Sequence, residues 1–135
     1  MTTINDAQFV FTKIIVADIE RAYAFYHSVF GLIEIARISD GKGEMEMHEI
    51  IIGRAGEQDM PVPSLIVQHY PNKLLPPLDG VALGFTTTDI EDTIAKAVAA
   101  GASVATPVTT NTEHQIKAAF LIDPQGVSLE LLQYL

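Results

Sequence analysis

Apolar and polar residues along the chain change their period in the same order twice. From Phe9 to Val16 the residues are β-branched and aromatic with Lys13 in the middle, which predicts a strand. Its alternation puts Phe9, Phe11, Lys13 and Ile15 on one face and Val10, Thr12, Ile14 and Val16 on the other. From Asp18 the spacing turns to threes and fours through Ile19, Ala22, Tyr23, Tyr26, Val29 and Phe30, predicting an amphipathic helix over Asp18 to Phe30. Asp18 has the short carboxylate that accepts from free first-turn amides, and Gly31 supplies a left-handed stop. Strand-like segments follow at Leu32 to Ile38 and Glu44 to Ile52, around the turn Asp40-Gly41-Lys42-Gly43. Gly53 to Pro63 is expected to be a loop, and Ser64 to Tyr70 a strand with Leu65, Val67 and His69 on one face.

Three prolines within Pro71 to Gly80 mark a linker, after which the order repeats. A strand over Val81 to Thr87 leads to a helix over Asp89 to Ala100, a stop at Gly101 and a strand over Ala102 to Thr106. Pro107 is expected to end that strand and open a polar loop to His114. Lys117 to Ile122 and Val127 to Leu132 form the last two strands around the turn Asp123-Pro124-Gln125-Gly126. Asp-Ile-Glu at Asp18-Ile19-Glu20 recurs at Asp89-Ile90-Glu91, so the repeat is one of sequence as well as pattern. The expected fold is α+β, a tandem pair of βαβββ modules in a single domain over residues 1–135. Module 1 spans about residues 9–70, the linker 71–80 and module 2 about 81–135.

Composition narrows the function classes. The 135 residues are 48% hydrophobic and 19% charged, a globular balance in one domain's length. Seventeen acidic residues against eight basic ones, a formal net charge of -9, repel phosphate backbones and anionic membranes, so neither is an expected partner. With no cysteine there is no disulfide, thiolate metal site or cysteine nucleophile. No apolar run approaches a membrane span, and the start MTTINDAQ lacks the order of a signal peptide, so the expected location is the cytoplasm. No Gly-rich phosphate loop and no GxSxG elbow occurs. His48-Glu49 is not the start of HExxH, because Ile52 stands where the second histidine belongs.

Asp18-Ile19-Glu20 followed by Phe25-Tyr26 and Gly31, with Asp123-Pro124-Gln125-Gly126 and Leu129-Glu130-Leu131 near the end, resembles the vicinal oxygen chelate superfamily. That superfamily includes glyoxalase I, bleomycin resistance proteins and extradiol dioxygenases. The resemblance implies strands curled into an open cup, commonly completed by a second subunit, so a homodimer is expected. It also implies four metal-ligand positions facing the cup. Carried onto this chain they fall at Phe11, Val67, Ala82 and Glu130, and only Glu130 offers a lone pair. No cofactor is therefore expected. A divalent metal would require a displaced set, His69 with Glu130, joined by His48 if its strand faces the same way.

Glu130 is thus the one acid placed inside the cup, with Lys13 and His69 as its nearest candidate partners. The expected ligand-binding surface adds Phe9, Phe11, Val67, Ala82, Thr86 and Ser128. The function that fits is binding of a small, largely apolar organic molecule without the superfamily metal. Two alternatives stay open: a lyase, isomerase or epimerase using Glu130 as acid or base with Lys13 or His69, and a structural or regulatory dimer whose cup is filled by its own side chains.

Overall fold

A computed structural model of the chain describes residues 6–56 and 61–135. The first module runs β1 (Thr12–Ile15), α1 (Ile19–Phe30), β2 (Ile33–Asp40), β3 (Met47–Ala55) and β4 (Pro61–His69). The second runs β5 (Ala82–Thr86), α2 (Ile90–Ala99), β6 (Ser103–Asn111), β7 (Ile116–Ile122) and β8 (Ser128–Tyr134). Each module makes one four-stranded sheet, in the orders β1-β4-β3-β2 and β5-β8-β7-β6. The first strand of each lies parallel to the last, and the other pairings are antiparallel. The predicted βαβββ duplication is therefore present, as two sheets of the same topology. Both helix starts use the predicted device: Asp18 Oδ1 accepts from Arg21 N at 3.0 Å, and Asp89 Oδ1 from Asp92 N at 3.1 Å. Gly31 closes α1 in the left-handed region at φ 68°.

The strand expected from Glu44 starts only at Met47, after a 3-10 turn over Gly43–Met45, and three further boundaries differ from the sequence expectation. β1 is four residues long, so Phe9 and Phe11 precede the strand. The expected loop from Gly53 to Pro63 is mostly strand: β3 continues to Ala55 and β4 begins at Pro61, while residues 57–60 of that stretch lie outside the described residues. Pro63 is tolerated there because, among the described residues, β1 pairs only with Leu65 to Gln68, leaving the start of β4 with β3 as its single neighbour. The approach is close, since a Cβ at Gly53 would collide with the Val62 carbonyl. β6 passes through Pro107 rather than stopping before it. It is the outer strand of its sheet and its register shifts on both sides of Thr106, which accommodates a residue without an N–H.

One hydrophobic core serves both modules. It takes Ile14, Val16, Ile50, Ile52, Leu65 and Val67 from the first sheet and Ala119, Leu121, Val127, Leu129 and Leu131 from the second, with residues of both helices between them in contact. α1 is the joint. Tyr26 Oη donates to Asp123 Oδ2 at 2.5 Å, Asp18 N donates to Gln125 Oε1 at 3.0 Å, and the Phe30 and Phe85 rings stack at 3.8 Å. The helix of module 1 thereby holds the β7–β8 turn and the first strand of module 2. Among the described residues no helix is long and apolar enough to cross a membrane.

Candidate functional site

Each sheet has a helix face, which carries the core, and a far face opposite it. Residues directly opposite one another on neighbouring strands share a face, so register assigns them. In the second sheet Ala82 lies opposite Ser128, and Glu130 lies between Gly84 and Phe120. Leu129 and Leu131, fully buried, point the other way. Ala82, Thr86, Ser128 and Glu130 are thus grouped on one far face, as alternation predicted. Ala82 and Thr86 are exposed, and Ser128 and Glu130 half-buried.

The first sheet corrects the expectation. Val67 lies opposite Ile14 and Ile50, fully buried under α1, so it is a core residue and not a cup residue. His69 is on that same helix face, and its Nδ1 is 3.0 Å from the Val16 carbonyl oxygen. His48 pairs across the strands with His69, with its own nitrogens at Ser39 Oγ (2.8 Å) and Glu46 Oε2 (3.1 Å). The two histidines do face alike, but towards the helix side of the first sheet, whereas Glu130 is on the far face of the second. The displaced set of His48, His69 and Glu130 does not come together. Among the described residues no three His, Asp or Glu side chains converge as a metal site.

Register also relocates one superfamily position, from Val67 to its neighbour. Glu130 stands opposite Gly84, five residues before the N-cap Asp89. The residue five before Asp18 is Lys13, and it stands opposite Ile66. Ile66 is therefore the counterpart of Glu130 in module 1, and a sec-butyl side chain has no donor atom. The four positions become Phe11, Ile66, Ala82 and Glu130, a set that does not fit a transition metal.

Lys13 does lie on the far face, but its partner is not Glu130. Its Nζ is 3.1 Å from Glu49 Oε2, close enough for coulombic attraction yet without hydrogen-bond alignment. Glu49 and its cross-strand neighbour Gln68 are only 6% and 2% exposed. Sequence reading passed over both, although a carboxylate in His48-Glu49-Ile50-Ile51-Ile52 and an amide in Leu65-Ile66-Val67-Gln68 are polar interruptions of apolar strands. Phe9, 89% exposed, and Phe11, 45% exposed, lead into β1 without strand pairing. A cleft of about 520 Å3 lies where β5, from Ala82 to Thr86, faces Thr12, Ser64 and Leu65.

The family model for the Glyoxalase/Bleomycin resistance protein/Dioxygenase superfamily matches residues 8–131. A glyoxalase family protein from Bacillus cereus is similar in structure at TM-score 0.74 with 16% identity, over 100% of this chain and 99% of that one. The trypanothione-dependent glyoxalase I of Leishmania major is similar at TM-score 0.70 with 18% identity, over 95% and 87% of the two chains. A glyoxalase I variant from Zea mays is similar at TM-score 0.72 with 16% identity over 92% of this chain, which spans only 46% of the maize chain. No curated protein sequence matches this chain.

Proposed function

This chain belongs to the Glyoxalase/Bleomycin resistance protein/Dioxygenase superfamily, and within it we propose a binding protein that holds a small organic molecule against its far faces without the superfamily metal. The observation that carries the reading is the donor set. Phe11, Ile66 and Ala82 hold a phenyl ring, an alkyl group and a methyl where ligands are needed, and Glu130 alone is a poor site for any divalent ion. The cleft of about 520 Å3 beside β5 takes in Ala82 and Thr86 of the far face but not Ser128 or Glu130, and its ligand size favours binding over a purely structural cup. An acid–base enzyme built on Glu130 has less support, because Lys13 is engaged by Glu49 and His69 lies on the other face of its sheet.

Two measurements test this. Protein purified without chelator is expected to keep no stoichiometric nickel, zinc, iron or manganese after dialysis. Retained metal that is lost in Glu130→Ala overturns the metal-free reading. In a thermal-shift screen of small aromatics, thiols and keto compounds, a ligand at one hundred times its Kd is expected to add about 2.7 kcal/mol to folding stability. A screen in which no compound raises the melting temperature counts against small-molecule binding altogether.

A homodimer belongs to the same proposal. Among the described residues β1 and β5 each end a sheet with one free edge, and Phe9, Val10, Phe11 and Val81, just before these strands, expose apolar surface. Light scattering at micromolar concentration is expected to give twice the 14.7 kDa chain mass. A monomer mass speaks against it.

A further inference from the structure

The far face of the first sheet contains a polar arrangement that neither the superfamily positions nor the core requires. A pocket of about 340 Å3 is lined by Lys13, Asp40, Met45, Met47, Gln68 and Tyr70. At its base Gln68 is 2% exposed, and its Oε1 has no hydrogen-bond partner among the described residues. Leaving a buried amide oxygen unpaired is unfavourable, so the arrangement stands at a loss until something donates to it. Beside it the Lys13–Glu49 pair is nearly self-neutralising, and Lys13 is 38% exposed with N–H groups still available.

We infer that this pocket takes the amide edge of a neutral carboxamide ligand, with the ligand N–H donated to Gln68 Oε1 and its carbonyl oxygen accepting from Lys13 Nζ. The inference deepens the small-molecule reading above and rests on it. Charge disfavours the anionic class and hydrogen-bond pattern the cationic one. An anion would meet Asp40, Glu49 and a chain of net charge -9, whereas an ammonium has no acceptor to offer the Lys13 N–H groups. An amide presents a donor and an acceptor from one planar group with no charge to desolvate. Met45, Met47 and Tyr70 supply polarizable and aromatic wall for the rest of the molecule.

The test is an NMR titration of full-length protein carrying 13C-methyl methionine, with benzamide as probe and benzoate, benzylamine and N,N-dimethylbenzamide as matched controls. Benzamide is expected to move the Met45 and Met47 methyl signals saturably at millimolar concentration. Loss of the N–H in the dimethyl compound is expected to weaken binding about tenfold, one charge-free hydrogen bond's worth. Gln68→Leu is expected to weaken benzamide to the same extent while melting no lower than wild type, since it removes an unpaired buried polar group. Equal binding of the dimethyl compound, tighter binding of benzoate or benzylamine, unchanged affinity in Gln68→Leu, or no saturable shift with benzamide overturns the inference. If other compounds bind only beside Glu130, the small-molecule reading stands and this assignment falls. If none binds anywhere, both fall.

Discussion

Asp123→Ala is expected to lower folding stability by about 3–5 kcal/mol, because it orphans three donors at the junction of the two modules. Asp123 Oδ1 accepts from Gln125 N at 2.8 Å and Val127 N at 2.9 Å, and Oδ2 accepts from the Tyr26 hydroxyl at 2.5 Å. The carboxylate is 4% exposed and Tyr26 is fully buried, so water does not readily replace what is lost. Tyr26→Phe keeps the ring stack with Phe30 and Phe85 and removes only the hydroxyl, for which about 1–3 kcal/mol is expected. Urea unfolding of both single variants and the double variant measures the coupling. Additive losses would mean that the two groups do not act together.

The same contact sets an alkaline limit. Burial raises the Tyr26 phenol well above its ordinary value near 10, and the Asp123 carboxylate, as a charge and as hydrogen-bond acceptor, adds to the effect. A raised folded-state pKa means that the folded chain holds this proton more tightly than the unfolded chain. The stabilisation is therefore complete below pH 10 and declines as pH rises beyond it. Tyr26→Phe is expected to flatten that decline. If the variant and wild type lose stability in parallel above pH 10, Tyr26 is not the responsible group.

Leu129→Ala is expected to cost about 2–5 kcal/mol, whereas Glu130→Gln, one residue along the same strand, is expected to stay within about 0.5 kcal/mol of wild type. Leu129 is fully buried in the shared core on the helix face, and truncation leaves a cavity among Leu121, Leu131 and the helices. Glu130 is half-buried on the far face, in no ion pair among the described residues. The contrast is readable as two denaturation midpoints. A Glu130→Gln loss as large as that of Leu129→Ala would show that Glu130 serves the fold, and it would disqualify that variant as a probe of ligand binding.

Much of the architecture was legible without coordinates, since its signals are local. Asp18 and Asp89 cap helices because a short carboxylate reaches an amide three residues away, and Gly31 ends α1 because only the missing Cβ makes φ 68° inexpensive. Four far-face residues of the second sheet, Ala82, Thr86, Ser128 and Glu130, followed from alternation within two strands. Prolines misled in both sheets for one reason: a proline stops a strand only where its missing N–H would have had a partner. Pro63 and Pro107 each lie where the strand has a single neighbour.

The duplication, the capped helices, the topology class and the absence of donor atoms at Phe11 and Ala82 could all be read from the chain, because each depends on residue identity or on neighbours a few positions apart. Which parity of β4 faces the helix, in contrast, depends on strand pairing. A side-chain period of two makes Leu65-Val67-His69 and Ile66-Gln68 equally regular sets, and a shift of one residue exchanges them. Pairing with β1 resolved it: Lys13 lies opposite Ile66 and Ile14 opposite Val67. That single register turned Val67 and His69 towards α1 and brought Glu49, Gln68 and Lys13 together on the far face. β1 is separated from β3 and β4 by α1 and β2, so only the folded sheet could bring Lys13 beside Glu49 and Gln68.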